Sequence, residues 1–416
     1  MAIAGLRGTG DWGTDERPKN FRDLILWQNP NGKAPLFALT SKLKKSPTDD
    51  PEFSWWEEIS GVIRLQLDGA IANTADVTWT VDNSTASNAA VDANGRRGNA
   101  YDLVPGDLLL VETSTGVGAA HNAEVVMVDT VTSATAFTVL RNQAGTSGGD
   151  AIATDTFLTK IGNAYEEGST SPNTSTRNPR KFVNYVQIFK TAYQMTETAK
   201  ATTVRTGNGL KNDKKRKSFD HSAAIEMALL LGHASETTGA GGKLLRTTGG
   251  LLEHLVTAGR AQIATAYPAS AAGADAFFDD VYDCFDYDGG GAGDERLVFC
   301  GNGALNVLNK AARAAGQVEF METVKVYGMN LTKWVIPQGT LYFKSHPLLN
   351  QHPQFTNSMF VVEPTGIRYR PLRDTIPQDN IQAPDADYEK GQWLTEAGFE
   401  FNYMECMKYL GNVRQS

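Results

Sequence analysis

Cysteine is scarce in this chain: three residues in 416, Cys284, Cys300 and Cys406. Their odd number and wide spacing exclude a disulfide framework or a thiolate metal site, and leave small buried apolar side chains of a protein made in a reducing compartment. Histidine is equally thin. His121, His221, His233, His254, His346 and His352 form no metal-ligand spacing with each other or with cysteine, so no metal is expected. The longest apolar run, near "MALLLG" (227–232), is far too short to span a bilayer, and "MAIAGLRGTGDWGTDERPK" has no apolar signal-peptide core. No membrane partner follows, and the chain reads as soluble and intracellular when made. Basic charge is also in deficit: a net charge of −8 argues against general nucleic-acid affinity while leaving room for a local basic patch.

Catalytic motifs are missing in the same way. "GTSGG" (145–149) matches G-x-S-x-G and offers Ser147 as a nucleophile, but that motif needs a strand, a strained elbow and a helix behind it. "DAIATDTF" is no amphipathic helix, and nothing ties His121 to Ser147, so a glycine-rich turn between strands is preferred. "GAGGKLL" (239–245) fails as a phosphate loop because Thr237 holds the first glycine position and Leu244 the Ser/Thr position; it reads as a loop. Asp279–Asp280 and Glu166–Glu167 read as solvated pairs. No catalytic residue, cofactor or metal is assigned, and the chain is not read as an enzyme.

What is present is an order of pieces. The hydrophobic fraction of 41% and charged fraction of 21% are those of an ordinary folded protein, and 416 residues allow two or three folding units. Residues 1–60 carry scattered anchors (Leu24, Ile25, Leu26, Trp27, Leu36, Phe37, Phe53, Trp55 and Trp56) between turn-forming stretches, a pegged arm that needs a partner surface. Residues 61–162 hold "GVIRLQL", "DVTWTV", "DLLLVET", "AEVVMVDTV" and "AFTVLRN" between Gly, Asn, Asp and Ser clusters, a small antiparallel β meander or partial barrel. Residues 163–200 read as an extended connector whose strand "FVNYVQIF" brings Tyr185 and Phe189.

From about Gly209 the period becomes helical, with Phe219, Ala223, Met227, Leu230 and Leu231 on one face and Gly232 as terminator. Lys211, Lys214, Lys215, Arg216 and Lys217 lie in the first turns, where the helix dipole disfavours cations. They form either a solvated face or a contact to nucleic-acid phosphates or an acidic neighbour. Residues 237–362 read as mixed α/β. Phe277, Val281 and Phe285 share one face, and Ala304, Val307, Leu308 and Ala311 face inward from "GNGALNVLNKAARAAG". Residues 363–416 return to β, with Phe399, Phe401 and Tyr403 alternating with Glu400 and Asn402.

This order resembles the major capsid protein of tailed bacteriophages built on the Hong Kong 97 fold. "NPNGKAPLFALTSKL" (29–43) and "PEFSWWEEI" (51–59) are similar to the arm of a subgroup. "YEEGST" (165–170) with "NYVQIFKTAYQMTETAK" (184–200) resembles its returning strand. "FDHSAAIEMALLLG" (219–232) is similar to the end of the spine helix, and "RTTGGLLEHL" (246–255) to the crossing into the axial domain. "IRYRPLRDT" (367–375) and "LTEAGFEFNYMECMKYLGN" (394–412) resemble the closing strands.

The resemblance implies an α+β Hong Kong 97-like fold with an inserted small antiparallel β domain. Its parts are an N-terminal arm (1–60), the β-rich insertion (61–162), an extended-loop return strand (163–200), a spine helix (201–236), an axial domain (237–362) and a closing peripheral segment (363–416). It also implies a virion capsid subunit that assembles in the host cytoplasm into hexamers and pentamers around double-stranded DNA. A separate scaffolding protein and a portal are expected partners, with a decoration protein as a further one. Trp27, Phe37, Trp55, Trp56, Tyr185 and Phe189 are the assembly-interface candidates. The insertion either braces neighbours or projects outward. Rival readings are a β-rich adhesin-like surface protein and a hydrolase using Ser147.

Overall fold

The computed structural model describes residues 45–57, 64–73, 75–82, 100–112, 124–145, 151–172, 179–202, 207–263, 265–268, 270–286, 294–314, 321–326 and 329–415. Trp27, Phe37, His121 and Ser147 lie outside these residues.

Strand β1 (Glu52–Glu57) alternates by burial because Phe53 and Trp55 point to one face and Ser54 and Trp56 to the other. Between it and its partner the chain builds a separate unit from β2 (Arg64–Gln66), β3 (Thr78–Thr80), β4 (Asp107–Val111), β5 (Val125–Val131), β6 (Ala136–Gln143) and β7 (Phe157–Asn163). Their order is β2-β7-β4-β5-β6-β3, with every pairing antiparallel. A bridge between Leu67 and Val81 joins the two ends, flanked by Asp68 N–H to Thr80 O and Asp82 N–H to Gln66 O, each 2.9 Å. Among the described residues the sheet therefore closes into a barrel, a step beyond a partial barrel. Trp79, Leu109, Val126, Phe137 and Leu158 fill its interior. The turn into β4 needs Gly106 at φ +93°, and Asp107 holds it by accepting from Val104 N–H at 2.7 Å.

The chain returns through β8 (Arg180–Tyr185), which pairs antiparallel with β1 so that Glu57 lies opposite Arg180 and Glu52 opposite Tyr185. Strand β9 (Gln187–Thr196) runs directly into helix α1 (Glu197–Ala201), whose first turn is capped by Thr196 accepting from Ala199 N–H. The long helix α2 (Gly209–Leu231) starts at Asn208, whose side chain accepts from Lys211 N–H, and ends at Gly232. A Cβ on Gly232 would meet Ala228 O at 2.4 Å and Thr248 O at 2.5 Å, so only glycine fits this exit. The buried face of α2 is His221, Ile225, Glu226, Leu229 and Leu230. It keeps Leu230 of the expected stripe but is rotated from Phe219, Ala223, Met227 and Leu231, which are half-buried. Apolar periodicity misplaced the face because two polar residues, His221 and Glu226, turn inward.

The hairpin β10 (Ser235–Thr238) and β11 (Leu244–Thr247) carries the "GAGGK" loop at its tip and leads to α3 (Leu251–Thr257). Next come β12 (Ala261–Gln262), β13 (Ala266–Tyr267), α4 (Ala271–Val281), β14 (Glu295–Cys300), α5 (Asn302–Ala314), β15 (Met321–Val326), β16 (Met329–Ile336), β17 (Gly339–Ser345), α6 (Pro347–Gln351) and β18 (Met359–Val362). Helices α4 and α5 pack on the sheet through Phe277, Val281, Ala304 and Leu308, all buried, as their spacing predicts. The α4 helix stops at Val281, and a 3₁₀ turn carries the chain to Phe285.

Strands β19 (Ile367–Gln378) and β20 (Tyr388–Phe401) join β9 in an antiparallel sheet with β20 central. The final course departs from the expected closing segment: β21 (Lys408–Leu410) leaves this sheet and enters a seven-stranded one ordered β12-β21-β18-β14-β17-β16-β15. Phe399 and Phe401 are buried, and so are Glu400 and Asn402, which alternate with them. Both faces of the end of β20 are covered, and the charge of Glu400 is met by Arg370 at 3.3 Å and Arg368 at 3.7 Å. The architecture is α+β with an inserted antiparallel barrel.

Candidate assembly surfaces

The β1–β8 ribbon separates its tryptophans by the period-two rule. Trp55, only 7% exposed, stacks on Phe182 at 5.7 Å and lies 5.9 Å from His254. Together with Phe53 and Val186 it forms a small core against Leu372. Phe189, also 7% exposed, belongs to the main core with Ile225, Leu229 and Phe399. Neither is the outward peg that its aromatic character suggested: both spend their apolar area inside their own chain, about 2 kcal/mol or more of burial each. Trp56 is different. Its indole is 61% exposed, on the face of the ribbon that also carries half-buried Tyr185.

Beside Trp56 opens a cleft of 440 Å³. Trp55, Trp56 and Glu57 form one wall, and Arg368, Glu400, Asn402, Tyr403 and Glu405 complete it. Tyr403 adopts φ +59°, the left-handed turn that swings the chain from β20 toward Glu405. Three carboxylates from two distant segments thus face one space. Burial pushes the Glu57 carboxyl up to about 7, with the charges of Glu405 and Glu400 adding to the effect and the Trp55 indole N–H, 3.1 Å away, opposing it. Sequence reading found Trp55 and Trp56 but not Glu57, Arg368 or Glu405. The only local signal was the "WWE" triplet, and the partners arrive from more than 300 residues away.

The basic run lies along the first turns of α2, and its members have separate roles. Lys214 Nζ is 2.8 Å from both Asp379 carboxylate oxygens at the end of β19, and Tyr193 also hydrogen-bonds to Asp379. This contact holds Asp379 below the usual carboxylate range. Lys217 pairs with Asp220 at 3.1 Å. Lys211, Lys215 and Arg216 are exposed, and the four-residue spacing puts Lys211 and Lys215 on one face. Of the five candidates, Lys214 and Lys217 are thus held by carboxylates, and Lys211 and Arg216 make no ion pair among the described residues.

The histidines within the described residues do structural work. His221 sits between Thr191 Oγ1 at 3.0 Å and Thr395 Oγ1 at 2.8 Å, tying α2 to β9 and β20. His346 Nε2 lies 2.7 Å from Glu226 Oε1, both fully buried. His254 packs 5.1 Å from Phe401. No group of three metal-ligating side chains occurs among the described residues. The three cysteines are buried free thiols, and burial pushes Cys284 up to about 12 and Cys406 up to about 11, far from a reactive thiolate. Asp280 accepts the Tyr267 hydroxyl at 2.7 Å, so that carboxylate has a structural task. The described residues form surfaces that can bind, with no nucleophile set beside a base.

A family model described as SU10 major capsid protein matches residues 6–413. The chain is similar to a major capsid protein of Pseudomonas phage PaMx41, 26% identical over 334 residues that cover 80% of this chain and 73% of the relative. Among solved structures it is similar to one from Mycobacterium phage Cain (9% identity, 96% of this chain and 95% of that one, TM-score 0.45). It is also similar to the capsid of Myoviridae Phage XM1 (11% identity, 60% and 80%, TM-score 0.40).

Proposed function

The chain belongs to the SU10 major capsid protein family, and from that premise we propose that its copies assemble as hexamers and pentamers into an icosahedral shell around a double-stranded DNA genome. As a major capsid protein it is a structural component of the virion capsid and not an enzyme. The observation that carries the reading is the β1–β8 ribbon. It buries Phe53 and Trp55 on its own body and turns Trp56 outward with 61% of its surface unused. An exposed indole at the rim of a cleft is the kind of anchor that stable interfaces bury.

Trp56 and Tyr185 are proposed as contacts between copies, with Trp27 and Phe37 of the arm as further anchors. Lys211, Lys215 and Arg216 face either packaged DNA or an acidic neighbour. A separate scaffolding protein, a portal and a decoration protein complete the set of partners, and assembly takes place in the host cytoplasm.

Electron microscopy of the purified chain tests this. Icosahedral shells are expected from the full chain, none from a chain lacking residues 1–60, and normal shells from Ser147→Ala. Discrete monomers with esterase or protease turnover that Ser147→Ala abolishes would overturn the reading.

A further inference from the structure

We propose that the cleft beside Trp56 receives the basic first turns of α2 from a second copy of the chain, with Lys211 and Arg216 entering in a head-to-tail contact. The proposal rests on the shell reading above and names the two surfaces that meet.

The cleft has the chemistry of a cation receptor. An exposed indole face lies at its rim, with the carboxylates of Glu57, Glu400 and Glu405 on its walls. A guanidinium or ammonium over an indole and beside carboxylates gains both cation–π attraction and charge-assisted hydrogen bonds. Glu400 is already met by Arg370 and Arg368, whereas Glu57 makes no ion pair among the described residues, so Glu57 is the carboxylate that an incoming cation meets beside Trp56. Burial, with the charges of Glu405 and Glu400 beside it, raises the Glu57 carboxyl to about 7, and a cation placed next to it would draw it back toward the ionised form.

The start of α2 carries the complementary excess. Its cations lie at the end of a helix where the dipole is positive, and the first turn contains no acidic residue. Asp379 engages Lys214 and Asp220 engages Lys217, whereas the described residues give Lys211 and Arg216 no ion pair. One chain therefore carries two surfaces of opposite charge, each unfavourable alone.

The two surfaces cannot meet within one copy. Both border the β19–β20–β9 sheet, at opposite ends. Arg368 pairs with Glu400 at the cleft end, and Gln378 pairs with Gln392 at the end where Lys214 holds Asp379. Eight to ten residues of strand at ~3.3 Å each separate them by about 30 Å. A contact between two different patches, repeated from copy to copy, closes into a ring where its rotation is a fifth or a sixth of a turn. This is the geometry a capsomer of five or six identical subunits requires.

A charge-swap mixing experiment tests the contact. Wild-type chain must first form shells under the chosen conditions, and its failure to do so would refute the shell reading itself. Lys211→Glu/Arg216→Glu changes only exposed side chains, so it is expected to melt like wild type while raising the threshold concentration for assembly at least tenfold. Glu57→Lys is expected to do the same, and Trp56→Lys, on an exposed side chain, serves if Glu57→Lys melts early. Mixed in equal amounts, the helix variant and the cleft variant are expected to form alternating six-membered rings without pentamers, because only unlike neighbours attract. Assembly of the helix variant at the wild-type threshold would overturn the proposal. So would a mixture that leaves two folded variants unassembled.

Discussion

His346 and Glu226 meet 2.7 Å apart in a fully buried contact that joins the start of α6 to the C-terminal part of the long helix α2. The Leu348 N–H donates to His346 Nδ1 at 3.2 Å, which places the ring proton on Nε2, facing the carboxylate. One element's polar key therefore sits in another's polar socket, and the register between the helix and the seven-stranded sheet is fixed by direction as well as by packing. Glu226→Ala leaves the buried Nε2–H without this acceptor. A loss of about 2–3 kcal/mol in unfolding free energy is expected by chemical denaturation of the dilute subunit.

The two tryptophans of β1 give opposite mutants. Trp55→Ala empties a site stacked between Phe182 and Phe53, and should cost about 3–5 kcal/mol of subunit stability. Trp56→Ala removes an exposed ring and should change subunit stability by no more than about 0.5 kcal/mol. Its effect is expected in shell yield. Melting curves and sedimentation of the same two proteins separate these outcomes.

Two titrating groups near the cleft pull stability in opposite directions with pH. Burial lowers His254 to about 4, so the folded chain binds fewer protons there than the unfolded chain. Its contribution is present above 6.5 and is lost as the pH falls toward 4. Glu57, raised from 4.5 to about 7, behaves inversely: its contribution is present below 4.5 and is lost as the pH rises through 7. Between pH 4.5 and 6.5 the slopes offset each other. Glu57→Gln should therefore steepen the fall of melting temperature on acidification, and His254→Gln should flatten it.

Gly232→Ala should shift both the exit of α2 and the entry to α3, because the added methyl meets Ala228 O and Thr248 O below 2.6 Å. A cost of about 1–3 kcal/mol is expected from overpacking against backbone, read as an earlier denaturation midpoint.

The sequence made local periodicity legible and left long-range pairing hidden. Five of the six barrel strands, the span and both ends of α2, and the inward faces of α4 and α5 follow from alternation, caps and glycine, whereas β7 does not. The face of α2 did not, because His221 and Glu226 are polar in a sequence and inward only once Thr395 and His346 are beside them. The cleft stayed hidden for the same reason. Glu57 and Glu405 are ordinary surface carboxylates until the left-handed turn at Tyr403 brings them together. Trp55 and Trp56 show what composition cannot do: adjacent identical residues receive opposite fates from the pleat.

The opposition of Glu57 and Arg180 across the β1–β8 ribbon means that the chain between them, residues 58–179, leaves and returns through one rung of the ladder. A barrel whose rim is sealed at Leu67 and Val81 offers no strand to graft onto anything else, so it hangs there as a cassette on a two-stranded stalk. Any foreign module whose own ends lie side by side meets the same plug-in geometry, which makes this doorway the natural place to fit the particle with new cargo.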